Sequence, residues 1–242
     1  MEFQIKVVNT IFHIDSINLT GESFFKDYLV TSQHSDYFLS IKEEDILYEK
    51  EMGYVLDLHG KRIDRHFSKE ICESLAIQRK VSQILFEKDV ILLHGELIGV
   101  GNEGYILTAK SGVGKSTRAL KWIENIPCAY IVDGDKPFLS IGEEIIGYGT
   151  PWCGKEGLNT NTSIRIKGIC FLSRNKEYSI EEVGISQVFS RLLYQVHLPD
   201  PKDTVKMIQL LNKMSQSVKF YDLQCDRSTQ SAIRTYQYIS NN

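Results

Sequence analysis

No stretch of this chain is apolar for long enough to span a membrane, and its first residues, MEFQIKVVNT, lack the apolar core of a secretory leader. Cysteine is scarce: Cys72, Cys128, Cys153, Cys170 and Cys225 are odd in number, scattered, and form no Cys-x-x-Cys pair. That pattern excludes a disulfide framework and a zinc ribbon, and it reads as reduced thiols in a cytoplasmic protein. An excess of one charge is also missing. With 28 basic and 31 acidic residues the net charge is −3, so the whole molecule exerts no attraction on nucleic acid. Repeats and low-complexity tracts are absent. His13, His34, His59 and His66 fall at no metal-ligand spacing, which leaves them surface or packing roles. What remains is the composition of a soluble globular protein, 42% hydrophobic and 24% charged over 242 residues. That length suits one large α/β domain, or a small domain and a medium one.

The pattern along the chain changes period near residue 68. Before it come short strands, at Phe3–Val8, Tyr37–Leu39 and Tyr54–Leu56, separated by polar turns such as Thr20-Gly21-Glu22-Ser23. Ser68–Asp89 then follows helical spacing through Ile71, Cys72, Leu75, Ala76, Ile84 and Leu85. Val90–His94 reads as a buried strand, Gly99–Gly104 as a turn, and Tyr105–Leu107 as a strand. Ala129–Val132, Lys167–Leu172 and Lys219–Leu223 add three more. Helices are expected from Lys115 to Trp122, around Gln187–Val196 and Lys202–Met214, and over Ser228–Ile239. The alternation predicts an α/β layered core at 89–242, preceded by a smaller β-rich part, 1–88, that ends in a helix.

The densest chemistry lies in Gly104–Thr117, GYILTAKSGVGKST. A strand runs into a glycine-bearing turn, Ser111-Gly112-Val113-Gly114, which opens a helix at Lys115-Ser116-Thr117. This is the build of a phosphate-binding loop: backbone N–H groups and the helix dipole converge on phosphate oxygens. Lys115 then reaches the β/γ-phosphates, and the Ser116 hydroxyl ligates Mg²⁺. Ala109 stands where the strict pattern has glycine. Trp122, on the helix, is expected to pack rather than to stack on a base.

Two carboxylates follow, Asp133 and Asp135, at the end of the Ala129–Val132 strand. Such a pair can hold Mg²⁺ and take the proton of an attacking hydroxyl. They lie only 18 and 20 positions after Lys115, closer than the GTPase-like order requires. His94 ends a strand, where its imidazole is either a satisfied buried side chain or aimed at phosphates or a carboxylate. Lys155 and Glu156 read either as an exposed ion pair or as groups that neutralise the transferring phosphate and place Mg²⁺ or substrate. Arg165 and Arg174 are further candidates for phosphate contact, or surface charge.

Four blocks in order, Leu93-His94-Gly95, Ala109–Ser116, Asp133-Gly134-Asp135-Lys136-Pro137 and Tyr148–Glu156, resemble the HPr kinase/phosphorylase and phosphoenolpyruvate carboxykinase superfamily. More narrowly, the chain looks like the compact HPr-kinase-like proteins encoded with ribosomal peptide clusters, some of which phosphorylate a serine of a lasso-type precursor peptide. The resemblance implies an α/β P-loop core, ATP and Mg²⁺ as cofactors, and transfer of the γ-phosphoryl group to a serine of a peptide or protein. It implies that Lys115 binds the β/γ-phosphates and that Ser116 and Asp135 serve the metal. The family usually carries two adjacent aspartates, the first a base. Here Gly134 stands at that position, with Asp133 displaced by one, so the base is either Asp133 or Asp135. Members are often oligomers, which makes a homo-oligomer an expectation of unfixed number. Neither nucleic acid nor membrane is an expected partner.

Two other readings use the same residues. Small-metabolite kinases resembling shikimate kinase have a strand ending Val-Asp-x-Asp, as in Val132-Asp133-Gly134-Asp135, with a free hydroxyl compound such as serine as acceptor. Against that, about a hundred residues precede the loop. A nucleotide-binding regulatory module with little catalysis is the alternative outside enzymes, motivated by the missing paired aspartate.

Overall fold

The computed structural model describes residues 1–56, 62–64, 66–110, 112–154, 157–226 and 228–241. They form two compact units, Met1–Ile84 and Leu85–Asn242.

In the first unit, β1 (Glu2–Val7) and β2 (Thr10–Asp15) make an antiparallel hairpin. Val8 and Asn9 turn it with φ of 50° and 58°, the positive pair that a tight hairpin loop needs. Thr10, Phe12 and Ile14 alternate inward along β2. After the short α1 (Gly21–Phe24), β3 (Tyr37–Ser40) adds parallel to β2. α2 (Glu43–Met52) was not expected from the sequence, which reads as strands there. Only Ile46 of its ten residues is buried, so no apolar stripe marks it. Polar contacts hold it instead: Arg79 reaches Glu49 at 2.6 Å and Asp45 at 3.2 Å, and Lys80 reaches Asp45 at 2.7 Å. β4 (Tyr54–Leu56) pairs antiparallel with β5 (Arg62–Asp64), and α3 (Lys69–Glu87) runs past the division between the units.

The second unit is mixed α/β around a ten-stranded sheet. Its strands are β6 (Val90–Leu93), β7 (Glu96–Val100), β8 (Glu103–Thr108), β9 (Ala129–Asp133), β10 (Phe138–Ile141), β11 (Ile145–Tyr148), β12 (Ser163–Arg174), β13 (Ser179–Glu182), β14 (Val196–His197) and β15 (Lys219–Cys225). The helices are α4 (Lys115–Asn125), α5 (Ile185–Leu193), α6 (Thr204–Ser217) and α7 (Thr229–Ser240). The strand order is β14-β6-β10-β11-β12-β8-β7-β9, with β15 also on β12 and β13 on β15. Long β12 changes partners along its length. Ser163–Arg165 pairs antiparallel with β11, Gly168–Arg174 pairs parallel with β15, and β8 runs parallel on its other edge.

Side-chain alternation divides the core into two layers. Ile106, Ile169, Phe171 and Phe220 face α5 and α6 with Val188, Leu192, Leu211 and Met214. Tyr105, Leu107, Cys170, Leu172 and Leu223 face α4 and α7 with Trp122, Ala119, Ala232 and Ile239. Trp122 is fully buried, its ring 5.5 Å from Tyr105 and 5.6 Å from Tyr236. Its role is packing. β7 also departs from expectation: Gly99 lies within the strand, and only Gly101-Asn102 turns between β7 and β8. Among the described residues no helix is long and apolar enough to cross a membrane.

Candidate active site

Three strand ends meet at one edge of the sheet. The β7–β8 register sets Glu96 opposite Leu107, and the β7–β9 register sets Leu97 opposite Asp133. The start of β7 and the ends of β8 and β9 therefore come together, where open α/β sheets gather ligands. From β8 the chain enters the glycine turn and then α4. Gly112 has φ +80° and Gly114 +114°, conformations that a side chain would strain. Gly114 is also the residue before the first helical turn. Ser111, within the turn, lies outside the described residues.

The outer side of the turn is braced. The Arg174 guanidinium, at the end of β12, donates from Nε to the Val113 carbonyl at 2.6 Å and from Nη2 to the Gly112 carbonyl at 2.7 Å. Because a trans peptide points its N–H away from its C=O, these bonds turn the N–H groups of Val113 and Gly114 to the opposite side. Arg165 sits at the far end of β12, paired with Glu144 at 3.3 Å and Glu103 at 3.9 Å. It belongs to the other edge of the sheet.

Lys115 is buried in the first turn of α4. Its ammonium meets His94 Nε2 at 3.1 Å and the Ala109 carbonyl at 3.3 Å. Burial pulls its pKa down, while Glu96 and Asp135 pull it up. An ammonium only donates, so Nε2 must accept, and the imidazole proton sits on Nδ1. Nδ1 lies 3.3 Å from Gln195 Oε1, an acceptor suited to that proton. Burial, and then the Lys115 charge, hold His94 below its ordinary value of 6.5, which keeps it neutral. Asp135 Oδ1 is 3.6 Å from the same Nε2. The Asp135 carbonyl accepts from the Gly95 N–H at 2.9 Å, which fixes its backbone beside the histidine.

The two aspartates face different ways. Asp135 is partly open beside His94, whereas Asp133 is fully buried. Oδ1 of Asp133 accepts the N–H groups of Asp135 at 2.9 Å and Lys136 at 2.7 Å. Oδ2 accepts the Thr150 N–H at 2.9 Å and the Thr150 hydroxyl at 2.8 Å. Burial pushes its carboxyl up to about 7 against the pull of these donors. Thr150 in turn accepts the Trp152 N–H at 3.2 Å, and Trp152 packs edge-on against Phe138. The Gly-Thr-Pro-Trp block thus anchors the turn that presents Asp135. A Cβ on Gly134 would stand 3.0 Å from the Leu158 carbonyl oxygen and 3.2 Å from that of Cys153, so a side chain there would fit only if that backbone gave by a few tenths of an ångström.

Ser116 donates to Glu96 Oε1 at 2.7 Å, and Thr117 is exposed on the first turn of α4. Lys155 and Glu156 lie outside the described residues. Glu96 and Gln195 were missed from sequence. Glu96 falls between the expected Val90–His94 strand and Gly99–Gly104 turn and was assigned to neither, and Gln195 was read as part of a helix. A carboxylate inside the apolar alternation of Leu93–Val100 was the available signal for the first; for Gln195 there was none. Among the described residues, no group of three His, Cys, Asp or Glu side chains converges as a metal cage.

No protein-family model matches the chain. No curated protein matches it either. Among solved structures it is similar to the Hpr(Ser) kinase/phosphatase from Coxiella burnetii, at 11% identity and a TM-score of 0.37, over 62% of this chain and 88% of that one. A likeness at that score decides neither fold nor activity.

Proposed function

We propose that the chain is a P-loop phosphotransferase, an ATP- and Mg²⁺-dependent kinase that transfers the γ-phosphoryl group to a serine hydroxyl of a peptide or protein. The observation that carries this reading is the meeting of Lys115, His94 and Asp135 at the mouth of the braced glycine turn. Lys115, lightly held by a neutral imidazole and one carbonyl, is free to turn to phosphate oxygens and neutralise charge as the transfer proceeds. Asp135, partly open and without the four donors that occupy Asp133, is the carboxylate suited to receive the acceptor's proton. Asp133 acts by holding the turn. The donor set suits Mg²⁺, a hard cation that takes one or two protein oxygens and leaves the rest to phosphate and water. The Ser116 hydroxyl and the Asp135 carboxylate would hold it, and it would supply charge neutralisation between the phosphates.

The test is transfer from γ-labelled ATP to serine-bearing peptides and to free serine, with Lys115→Ala alongside. The expected result is label on a peptide, lost by about three orders of magnitude or more in the variant. Near-normal turnover in Lys115→Ala would overturn the mechanism. Label on free serine alone would move the reading to a metabolite kinase. Tight Mg·ATP binding with no transfer to any acceptor would favour the regulatory module.

A further inference from the structure

The reacting groups set the direction of one end of a nucleotide, and a recess lies on the other flank of the glycine turn. Asp135 follows β9, which lies with β7 on one side of β8, so the γ-phosphate of a bound nucleotide points that way. On the other side of β8 come β12 and then β15. Both run parallel to it along this stretch, so their C-terminal ends open at the same edge as the turn. Two strand spacings, about 10 Å, separate β8 from β15, a length that a triphosphate spans. The recess there is lined by Gly114, Thr117, Lys121, Ser173, Arg174 and Asp226, among others.

Asp226 gives the recess its chemistry. Its Oδ1 accepts the Ser228 N–H at 3.0 Å and the hydroxyls of Ser228 and Ser231, each at 2.8 Å. The Ser228 donors, and then the Ser231 hydroxyl, hold its pKa at about 2, so it is ionised at neutral pH. Fastening the entry of α7 accounts for that one oxygen. The other, Oδ2, has no hydrogen-bond partner among the described residues. A carboxylate oxygen only accepts, so a ligand group that meets it must bring a donor. Ionised phosphates bring none, and sugar hydroxyls do.

Resting on the nucleotide reading above, we propose that this recess takes the ribose of the nucleotide and that Oδ2 of Asp226 accepts its hydroxyls. Asp226 is then a specificity-determining residue that selects a ribonucleotide over its deoxy counterpart. Arg174 joins the two ends of the site: it braces the glycine turn, and the β12–β15 register sets it opposite Cys225, the residue before Asp226.

The test is calorimetric binding of ATP and of 2′,3′-dideoxy-ATP to the full chain in Mg²⁺, for the unaltered protein and for Asp226→Ala. The unaltered chain should bind ATP about tenfold more tightly than the dideoxy analogue, the scale of a hydrogen bond to a charged group. In Asp226→Ala, ATP should weaken about tenfold while the analogue stays within about twofold, so that the preference disappears. Asp226→Asn keeps an acceptor for the two serines and removes the charge. It should reduce the preference in the same direction, and it serves if the alanine variant does not fold. A parallel weakening of both nucleotides would assign Asp226 a structural role only and overturn the inference. So would an unchanged preference in a folded variant. Equal binding of ATP and the analogue by the unaltered chain would overturn the ribose assignment and leave the kinase reading standing. Absence of binding of either nucleotide would overturn the kinase reading itself, and this inference with it.

Discussion

Asp133 shows how one position alters the work of a carboxylate. Its neighbour two residues on faces the site, while Asp133 binds three backbone N–H groups and a hydroxyl. Asp133→Asn would set an amide N–H₂ against donors on one side, at a cost of about 1–3 kcal/mol for the group left unpaired. Urea unfolding should measure that loss. The acid is also held well above its ordinary value of 3.8, at about 7, so its contribution to stability is full below pH 3.8 and declines as pH rises through about 7. The decline should vanish from the stability profile of the asparagine variant. His94 has the opposite sign. Held below 6.5, its contribution is present above that pH and falls away as pH drops below it, where the unfolded imidazole takes a proton that the folded one refuses. Nitrogen NMR should find the His94 proton on Nδ1 at pH 7, and a proton on Nε2 alone would overturn the Lys115–His94–Gln195 chain. The sequence put Asp133, Asp135 and His94 in one list. It did not distinguish their roles, because strand alternation names a face only when the turn that follows is known.

At the scale of elements, the glycine turn depends on a distant strand as well as on its own glycines. Arg174 supports it from the outside, two bonds to two consecutive carbonyls. Arg174→Ala is expected to weaken ATP about tenfold, with little change in thermal midpoint because the side chain is exposed. Added ethylguanidine should restore part of the affinity, and no loss in the variant would count against the brace. β8 and α4 were readable because an apolar run, a glycine turn and a lysine-serine start come in fixed order. β7 was not, since Gly95 and Gly99 flank and interrupt its pattern and imitate a loop. α2 escaped for another reason: ion pairs with Arg79 and Lys80, made across 30 positions or more, replace the apolar stripe by which a helix is recognised.

At the scale of the whole molecule, the two units carry separate reporters. Cys72 is buried in the first, Cys153, Cys170 and Cys225 in the second, and Cys128 is exposed. Burial also raises the pKa of each of the four buried thiols, so they are both hidden and protonated at neutral pH. A thiol reagent should therefore modify one cysteine in the native protein and all five after unfolding. Mg·ATP should delay labelling of Cys153, Cys170 and Cys225 during partial denaturation and leave Cys72 unaffected. Equal protection of Cys72 would show that the units unfold together. The scattered spacing of the cysteines foretold reduced thiols but not this division, which depends on long-range pairing.

Arg118 adds a consequence in time. It lies buried on α4, three residues after Lys115, and its guanidinium reaches the Ser231 hydroxyl at 2.7 Å and the carbonyls of Asp226 and Ser228. Translation delivers the glycine turn first, Arg174 some sixty residues later and these last partners more than a hundred residues later. A nascent chain halted before 174 thus carries the motif without the brace, and one halted before 226 carries a helix whose buried arginine has nothing to hold. Ribosome-tethered chains of increasing length should acquire ATP binding only once Ser231 has emerged, and binding by a chain that ends before Arg174 would count against the brace.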